Sequence, residues 1–266
     1  LDNVVRGFCV AEEKGEFWGA TLQGVSRWIP RSGGYRRYTA DDGFPKNLAA
    51  RVRGMYRAPD GRLFVFCFGG LAVYDGAQDR FVPYVPPGEL PEGYRSDRTL
   101  ALHLDRWGNE WIATEDGVFR RDSQGKWTRF VHDDGDPRSL ASNYITRFFE
   151  DREGRVWISS ESAGVSIWTP GLDGFDTLAH RMGDPESLGS NNLFAFAETD
   201  DAFWLGTQGG GLSRLDKGTG KIRNYGFREG LPNETIYAVL PGAEGELWLS
   251  TNNGVARFNP RDGAVR

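Results

Sequence analysis

Three histidines, His103, His132 and His180, carry most of the acid–base and metal-binding potential of this sequence. His132 and His180 stand 48 residues apart in matching segments, and neither lies within an HExxH pattern. The sequence also contains no GxSxG element, no phosphate-binding loop and no paired-cysteine ligand pattern. Catalysis needs a clustered acid, base, nucleophile or metal set. We therefore predict no catalytic residue, no metal site and no cofactor, and interpret His132 and His180 as solvated loop positions.

Composition argues against several classes of partner. Of the 266 residues, 39% are hydrophobic and 26% are charged, with a net charge of −5 and no basic stripe, so a nucleic-acid partner is not expected. The apolar runs fall well short of the roughly 20 residues that span a bilayer, and no membrane contact by this segment is predicted. The chain begins at Leu1 without a basic-then-apolar leader, which suggests a piece of a longer protein. Two buried thiols are favoured at Cys9 and Cys67, and a disulfide is left open.

One local frame recurs six times along the chain. Its central aromatic residues are spaced 46, 47, 46, 47 and 44 residues apart, and a glycine follows each within a few positions. The aromatics are Trp18, Phe64, Trp111, Trp157, Trp204 and Trp248, and the glycines are Gly24, Gly69, Gly117, Gly164, Gly209 and Gly254. Each glycine separates two short apolar–polar alternating runs, which predicts a β-hairpin. One further strand on each side gives four strands per repeat, and we expect the six aromatics to be core residues.

This pattern predicts an all-β fold, a β-propeller of four-stranded antiparallel blades with six repeats visible. The repeats are assigned to residues 1–46, 47–96, 97–142, 143–190, 191–232 and 233–266 of a single domain, 1–266. Whether six blades close a ring, or belong to a seven-bladed or larger one, is left open. Rigid connectors join the blades, because residues 135–143 and 183–191 share a nonapeptide with a central proline. Leu140 and Leu188 are expected to anchor these connectors.

The segment 142–158 reads Ser-Asn-x-Ile-x-x-Phe-x-Glu-Asp-x-x-Gly-x-Val-Trp-Ile and resembles the two-component regulator propeller repeat. Residues 203–216 resemble the same repeat, and the likeness extends over essentially the whole chain. It is weakest in the second repeat, where Phe64 replaces Trp and Cys67 stands where Thr is usual. The resemblance implies a periplasmic or otherwise extracytoplasmic sensor of a bacterial signalling protein, with a kinase or diguanylate cyclase as output. It further implies a small-molecule or oligosaccharide ligand, and it leaves open a homodimer formed through the signalling protein.

A ligand is expected where the hairpin turns and the connectors between blades meet. Amide and carboxylate side chains there suit a hydroxyl-rich ligand, because each hydroxyl both donates and accepts hydrogen bonds. The predicted ligand-binding residues are Gln23, Tyr94, Arg95, Glu115, Asp116, Glu161, Gln208, Asn252 and Asn253. Two alternatives to a sensor remain open. A propeller enzyme of the lyase or lactonase type would depend on His103, and a protein-interaction scaffold would ignore small molecules.

Overall fold

The computed structural model of the chain describes residues 15–21, 24–30, 33–48 and 52–266, together with the backbone of residues 5–11. Contacts divide the chain into two compact units, Leu1–Arg129 and Phe130–Arg266. Each unit consists of consecutive antiparallel sheets whose strands pair in chain order. In the described part of the chain the only helices are two single turns of 3-10 helix, Ser96–Arg98 and Phe227–Glu229, and no helix there could cross a membrane.

Unit 1 contains three four-stranded sheets, which we number blades 1 to 3. Blade 1 consists of β1 (Val5–Ala11), β2 (Glu16–Thr21), β3 (Gly24–Ile29) and β4 (Gly34–Tyr38). Blade 2 consists of β5 (Val52–Arg57), β6 (Leu63–Cys67), β7 (Gly70–Asp75) and β8 (Arg80–Tyr84). Blade 3 consists of β9 (Thr99–Leu104), β10 (Glu110–Thr114), β11 (Gly117–Arg121) and β12 (Trp127–Phe130), so that β12 ends at the boundary of the unit.

Unit 2 contains blades 4 to 6. Blade 4 consists of β13 (Ile145–Glu150), β14 (Val156–Ser160), β15 (Val165–Trp168) and β16 (Phe175–Leu178). Blade 5 consists of β17 (Leu193–Glu198), β18 (Ala202–Thr207), β19 (Leu212–Asp216) and β20 (Ile222–Tyr225). Blade 6 has three strands, β21 (Ile236–Pro241), β22 (Leu247–Thr251) and β23 (Gly254–Phe258). Residues 264–266 pair with β23 through an antiparallel bridge between Phe258 and Val265, at the position of a fourth strand.

The predicted fold class is confirmed: the chain is all-β and is built from propeller blades of antiparallel strands. Each of the six sheets falls within one predicted repeat. Glycine is required at the hairpin turns for two reasons. Gly164 and Gly211 have φ angles of 82° and 73°, and a Cβ at these positions would lie 2.2 and 2.0 Å from the backbone oxygens of Leu178 and Tyr225. A larger residue would therefore push the third strand of the blade off the fourth.

The repeated aromatics of the second strands form the core, with one exception. Trp18, Phe64, Trp111, Trp157 and Trp204 are at most 2% exposed. Within unit 2 the following blade covers each buried indole: Phe203 lies 4.5 Å from Trp157 between ring centroids, and Phe258 lies 5.5 Å from Trp204.

The prediction of a core position is wrong for Trp248, which is 44% exposed. Blade 6 is the last blade of its unit, and no aromatic ring of the described residues there covers Trp248 as Phe203 and Phe258 cover the preceding tryptophans. The frame of the repeat therefore specifies the place of the aromatic in the strand, and the neighbouring blade determines its burial.

A buried carboxylate holds the indole N–H in blades 3 and 4. Asp151, which is fully buried, accepts hydrogen bonds from the Trp157 indole at 2.8 Å and from Nε of Arg155 at 2.7 Å. Asp105 accepts the corresponding bond from Trp111, also at 2.8 Å. In blade 2 the position six residues before the aromatic is Ala58, and the aromatic is Phe64, which has no N–H to satisfy.

Candidate functional site

In unit 2 the hairpin turns and the connectors meet at one end of the strands, as predicted. The backbone N–H of Glu161 donates to the Tyr144 carbonyl at 3.2 Å, and that of Gln208 donates to the Asn192 carbonyl at 2.9 Å. These bonds join each turn between the second and third strands to the connector that enters the same blade. A further bond, from Gly211 N–H to the Glu234 carbonyl at 2.8 Å, joins the turn of blade 5 to the connector that leaves it.

A cluster of amides and aromatic rings occupies this end of blades 5 and 6. It comprises Asn192, Phe194, Gln208, Tyr237 and Asn252, and we call it the amide–aromatic cluster. The Phe194 and Tyr237 rings stack at 12° with centroids 5.2 Å apart, and the Tyr237 hydroxyl donates to Oδ1 of Asn252 at 2.8 Å. The Asn192 amide donates to Oε1 of Gln208. Gln208, Tyr237 and Asn252 are exposed, so the cluster offers aromatic surface and amide groups to solvent together.

Two further predicted residues of unit 2 lie in the same turns. Asn253 is exposed, and its amide approaches the Pro232 carbonyl at 3.5 Å. Glu161 is exposed at the turn of blade 4, and no ion pair with its side chain occurs among the residues that the structure describes. The structure thus places four of the nine predicted residues in unit 2, all of them in the turns of blades 4, 5 and 6, where the sequence put them.

In unit 1 the predicted residues are engaged in local contacts. Asp116 accepts an ion-paired hydrogen bond from Arg98 at 3.2 Å, and Arg95 pairs with its neighbour Asp97 at 2.8 Å. Glu115 is exposed beside Asp116. Gln23 lies outside the described residues.

Tyr94 differs from the others because its ring is a packing element. It meets Phe119 edge-on at 5.5 Å and stacks with Trp127 at 6.1 Å between centroids. Burial raises the pKa of the Tyr94 hydroxyl above its usual value. Its predicted role in binding remains a prediction, and the contacts describe it as part of the blade 3 core.

Sequence reasoning missed Asn192, Phe194 and Tyr237. Phe194 and Tyr237 are the second residues of the first strands of their blades, and each lies where the pairing with the second strand slips by one residue. The same position holds Arg53, Leu100 and Thr146 in blades 2, 3 and 4. The residue type at this place therefore differs from blade to blade. That variation could have identified the position as a candidate for binding, since binding residues are expected where structural repeats differ.

His132 and His180 are exposed loop residues, as expected, and each also makes a connector contact that the sequence did not predict. In both, Nδ1–H donates to a leucine carbonyl at 2.6 Å, that of Leu140 for His132 and that of Leu188 for His180. The backbone N–H of each histidine also donates to an asparagine side chain in the same connector. Leu140 and Leu188 are fully buried, which confirms their predicted role as anchors. Each histidine thus ties the two ends of its connector together.

The histidine of the first connector should titrate above its usual value of 6.5. The pKa of His132 is raised first by the hydrogen bond to the Leu140 carbonyl and next by Asp134, whose Oδ1 lies 3.0 Å from Nε2. The folded chain therefore binds this proton more tightly than the unfolded chain, so the contribution to stability is complete below 6.5 and is lost as pH rises through the folded pKa. Titration of His132 by NMR measures the shift, and Asp134→Asn should lower it in part. A pKa at or below 6.5 would contradict this geometry.

His103 has a different environment from the other two. It is 8% exposed, in the first strand of blade 3, and its Nδ1 lies 3.2 Å from the Tyr56 hydroxyl of blade 2. Over the described part of the chain, no three His, Cys, Asp or Glu side chains are grouped so as to hold a metal ion.

Cys67 in β6 is a free and buried thiol, and burial raises its pKa to about 12. The side chain of Cys9, the other cysteine considered, lies outside the described residues.

Comparison with solved structures gives matches over the full chain at low sequence identity. The extracellular domain of BT4673 from B. thetaiotaomicron, assigned as a one component system, superposes with a TM-score of 0.76 at 20% identity, covering 100% of this chain and 36% of that one. The extracellular domain of BT3049, assigned as a hybrid two component system of the same organism, gives 0.53 at 19% identity, covering 98% and 39%. Virginiamycin B lyase from Staphylococcus aureus gives 0.69 at 15% identity, covering 100% and 84%. These likenesses show the fold.

The chain spans little more than a third of the length of the two signalling-system domains. No curated protein matches it in sequence. The family model of the two component regulator propeller matches residues 139–162 and 230–253. Each matched segment begins at the end of a connector and includes the first and second strands of a blade. The first segment contains Trp157 and the second contains Trp248. Two segments of the chain therefore match the two component regulator propeller repeat.

Proposed function

We propose that the chain is a ligand-sensing module, located outside the cytoplasm, of a bacterial signalling protein. Two observations support this proposal. Two segments of the chain match the two component regulator propeller repeat, and the fold matches extracellular domains that are assigned to signalling systems. Such a module binds its ligand and passes the binding energy to an output domain, so it needs a binding surface and no chemical step.

The ligand class that we propose is a hydroxyl-rich molecule such as an oligosaccharide. The observation that carries this is the amide–aromatic cluster, in which the stacked Phe194 and Tyr237 rings lie beside the side chains of Asn192, Gln208 and Asn252. Aromatic faces provide apolar contact area, whereas amides both donate and accept, as sugar hydroxyls do. The exposed turns of blades 4 and 6 extend this surface on either side.

A thermal-shift screen of oligosaccharides against the full chain tests the proposal. A ligand that binds only the folded state stabilises it by about 2.7 kcal/mol at a hundredfold excess over Kd. Products should be analysed after each incubation, because a lyase would convert its substrate and would lose activity on His103→Ala. Conversion of a saccharide, or indifference to every saccharide together with binding of a protein, would contradict a sensor of this kind.

The double variant Glu161→Ala/Gln208→Ala should weaken binding of a saccharide found in that screen by about tenfold or more, since each hydrogen bond to a charged or polar partner contributes roughly 0.5–3 kcal/mol. Both side chains are exposed, so the melting temperature should stay nearly unchanged. Isothermal titration calorimetry and a melting curve of the same sample measure the two quantities.

The matched control is Trp107→Ala. Trp107 is 54% exposed in the turn between the first and second strands of blade 3, at the end of β10 opposite to the hairpin turn. Removing it deletes an exposed aromatic ring without touching the proposed surface. Weaker binding in this control, with full affinity in the double variant, would place the site at the other end of the strands.

A further inference from the structure

One position of the repeat is small in five blades and is an arginine in the sixth. This position lies in the first strand, opposite the residue two places after the repeated aromatic. In blades 1, 2, 3, 5 and 6 it is occupied by Gly7, Gly54, Ala101, Ala195 and Ala238. In blade 4 it is Arg147, which pairs in register with Ser159. Five repeats fold with no side chain larger than a methyl group here, so the fold itself does not require a guanidinium.

Arg147 is exposed and differs in its partners from three partly buried arginines. Arg27 pairs with Glu16 at 2.6 Å, Arg155 with Asp151 at 2.7 Å and Arg214 with Asp201 at 2.8 Å. Each of these three thus has a carboxylate in the same blade. Over the described residues, the Arg147 guanidinium forms neither an ion pair nor a side-chain hydrogen bond.

Arg147 is exposed, so its guanidinium is open to a ligand from solvent. Desolvation by the surrounding protein lowers its pKa, and no carboxylate of the described residues pairs with it. The guanidinium presents a planar fork of donors that matches a carboxylate or a sulfate group.

The register partner of Arg147 in the second strand is Ser159, whose Oγ lies 2.9 Å from Oγ1 of Thr146. Ser159 is fully buried, so this hydroxyl pair helps to fix the strand that carries Arg147.

We propose that Arg147 is a specificity-determining residue that binds an oxyanion, a carboxylate or a sulfate, on the ligand of this module. The inference rests on the proposed function, because it names the chemical class of the ligand as an acidic saccharide. An acidic ligand gains an ion pair with the guanidinium that a neutral analogue cannot form, and at this position of the repeat only blade 4 can make it.

Two experiments on the full chain test the inference. The first compares Arg147→Ala with the parent chain in binding of galacturonic acid oligomers, sulfated galactose oligomers and neutral galactose oligomers. Acidic oligomers should lose about tenfold to a hundredfold in affinity on substitution, the equivalent of one charge-assisted hydrogen bond, whereas neutral oligomers should change by less than about twofold. The carboxylated and sulfated arms distinguish the two sources of the oxyanion. Because Ala is the residue of three other blades, the variant should fold with an unchanged melting temperature.

The second experiment does not depend on a saccharide. Phenylglyoxal, which reacts with deprotonated guanidinium groups, should modify Arg147 faster than the ion-paired Arg155 and Arg214, and millimolar sulfate or acetate should protect Arg147 selectively. Equal reactivity of the three arginines with no protection would overturn the inference. Unchanged affinity of Arg147→Ala for an acidic oligomer that binds the parent chain would also overturn it and leave the proposed function intact. Selective protection of Arg147 by anions, with no oligomer bound at all, would support the anion site and contradict the proposal of an oligosaccharide ligand.

Discussion

Asp151→Ala should lower the free energy of unfolding by about 3–5 kcal/mol, the usual cost of removing one partner from a buried charged pair. The carboxylate is fully buried, and it accepts hydrogen bonds from the backbone N–H groups of Glu153 and Arg155 as well as from the Arg155 and Trp157 side chains. Its removal leaves several donors unsatisfied in the interior, including the indole N–H. Chemical denaturation followed by tryptophan fluorescence measures the loss.

Blade 2 supplies the matched control, because it carries Ala58 and Phe64 at the two corresponding positions. The double variant Asp151→Ala/Trp157→Phe should therefore lose less free energy of unfolding than the sum of the losses in the two single variants. The coupling energy of the two substitutions measures the hydrogen bond between the Asp151 carboxylate and the Trp157 indole. The contact with Arg155 does not contribute to it, because Asp151→Ala removes that contact with or without Trp157→Phe. Strict additivity would show that this bond contributes nothing to stability.

Trp204→Ala should cost about 3–5 kcal/mol, and Trp248→Ala about 1 kcal/mol or less. The two residues occupy the same frame of the repeat in consecutive blades, so their backbone setting is matched. Trp204 is fully buried and packs against Phe258 and Tyr225, whereas Trp248 is 44% exposed. The difference in cost therefore isolates the contribution of the neighbouring blade. Urea denaturation of the two variants side by side gives this difference.

Equal losses in the two variants would contradict the exposure of Trp248. That result would mean that the exposed face of blade 6 is covered in solution; Leu240 pairs in register with Trp248 there, and Val255 pairs with Ser250. The melting temperature of Trp248→Ala at two protein concentrations would then show whether the cover comes from a second copy, because stability gained through association rises with concentration.

The structural residues of the repeat and the proposed binding residues occupy different places in each blade. The second-strand tryptophans and the buried aspartates serve stability, and substitutions there should reduce folding. The variable positions lie in the first strand and at the turns, where Arg147, Phe194 and Tyr237 stand. We expect substitutions at those positions to alter binding with little cost to the stability of the blade.

The repeat, the strands and the turns could be predicted from the sequence alone. An aromatic residue recurs about every 46 residues and is followed by a glycine, a pattern that predicts four short strands per repeat. All six sheets lie within the predicted ranges. Local chemistry is sufficient for this, because alternation and positive φ act over a few residues. The turn residues Glu161, Gln208 and Asn252 could likewise be placed, because a hairpin turn projects its residues at the end of a blade whatever surrounds it.

Residues with the same local sequence differ in environment, and this difference becomes visible only in the folded chain. Trp204 and Trp248 share a frame, yet blade 6 buries Trp204, whereas Trp248 in blade 6 itself is exposed. His132 and His180 are exposed loop residues, as expected, but only the structure shows that their rings bind the leucine carbonyls eight residues away. Phe194 and Tyr237 come together from two blades, 43 positions apart in the chain. These contacts depend on the packing of one repeat against another, and no periodicity within a repeat encodes which neighbour, or which carboxylate, a side chain will meet.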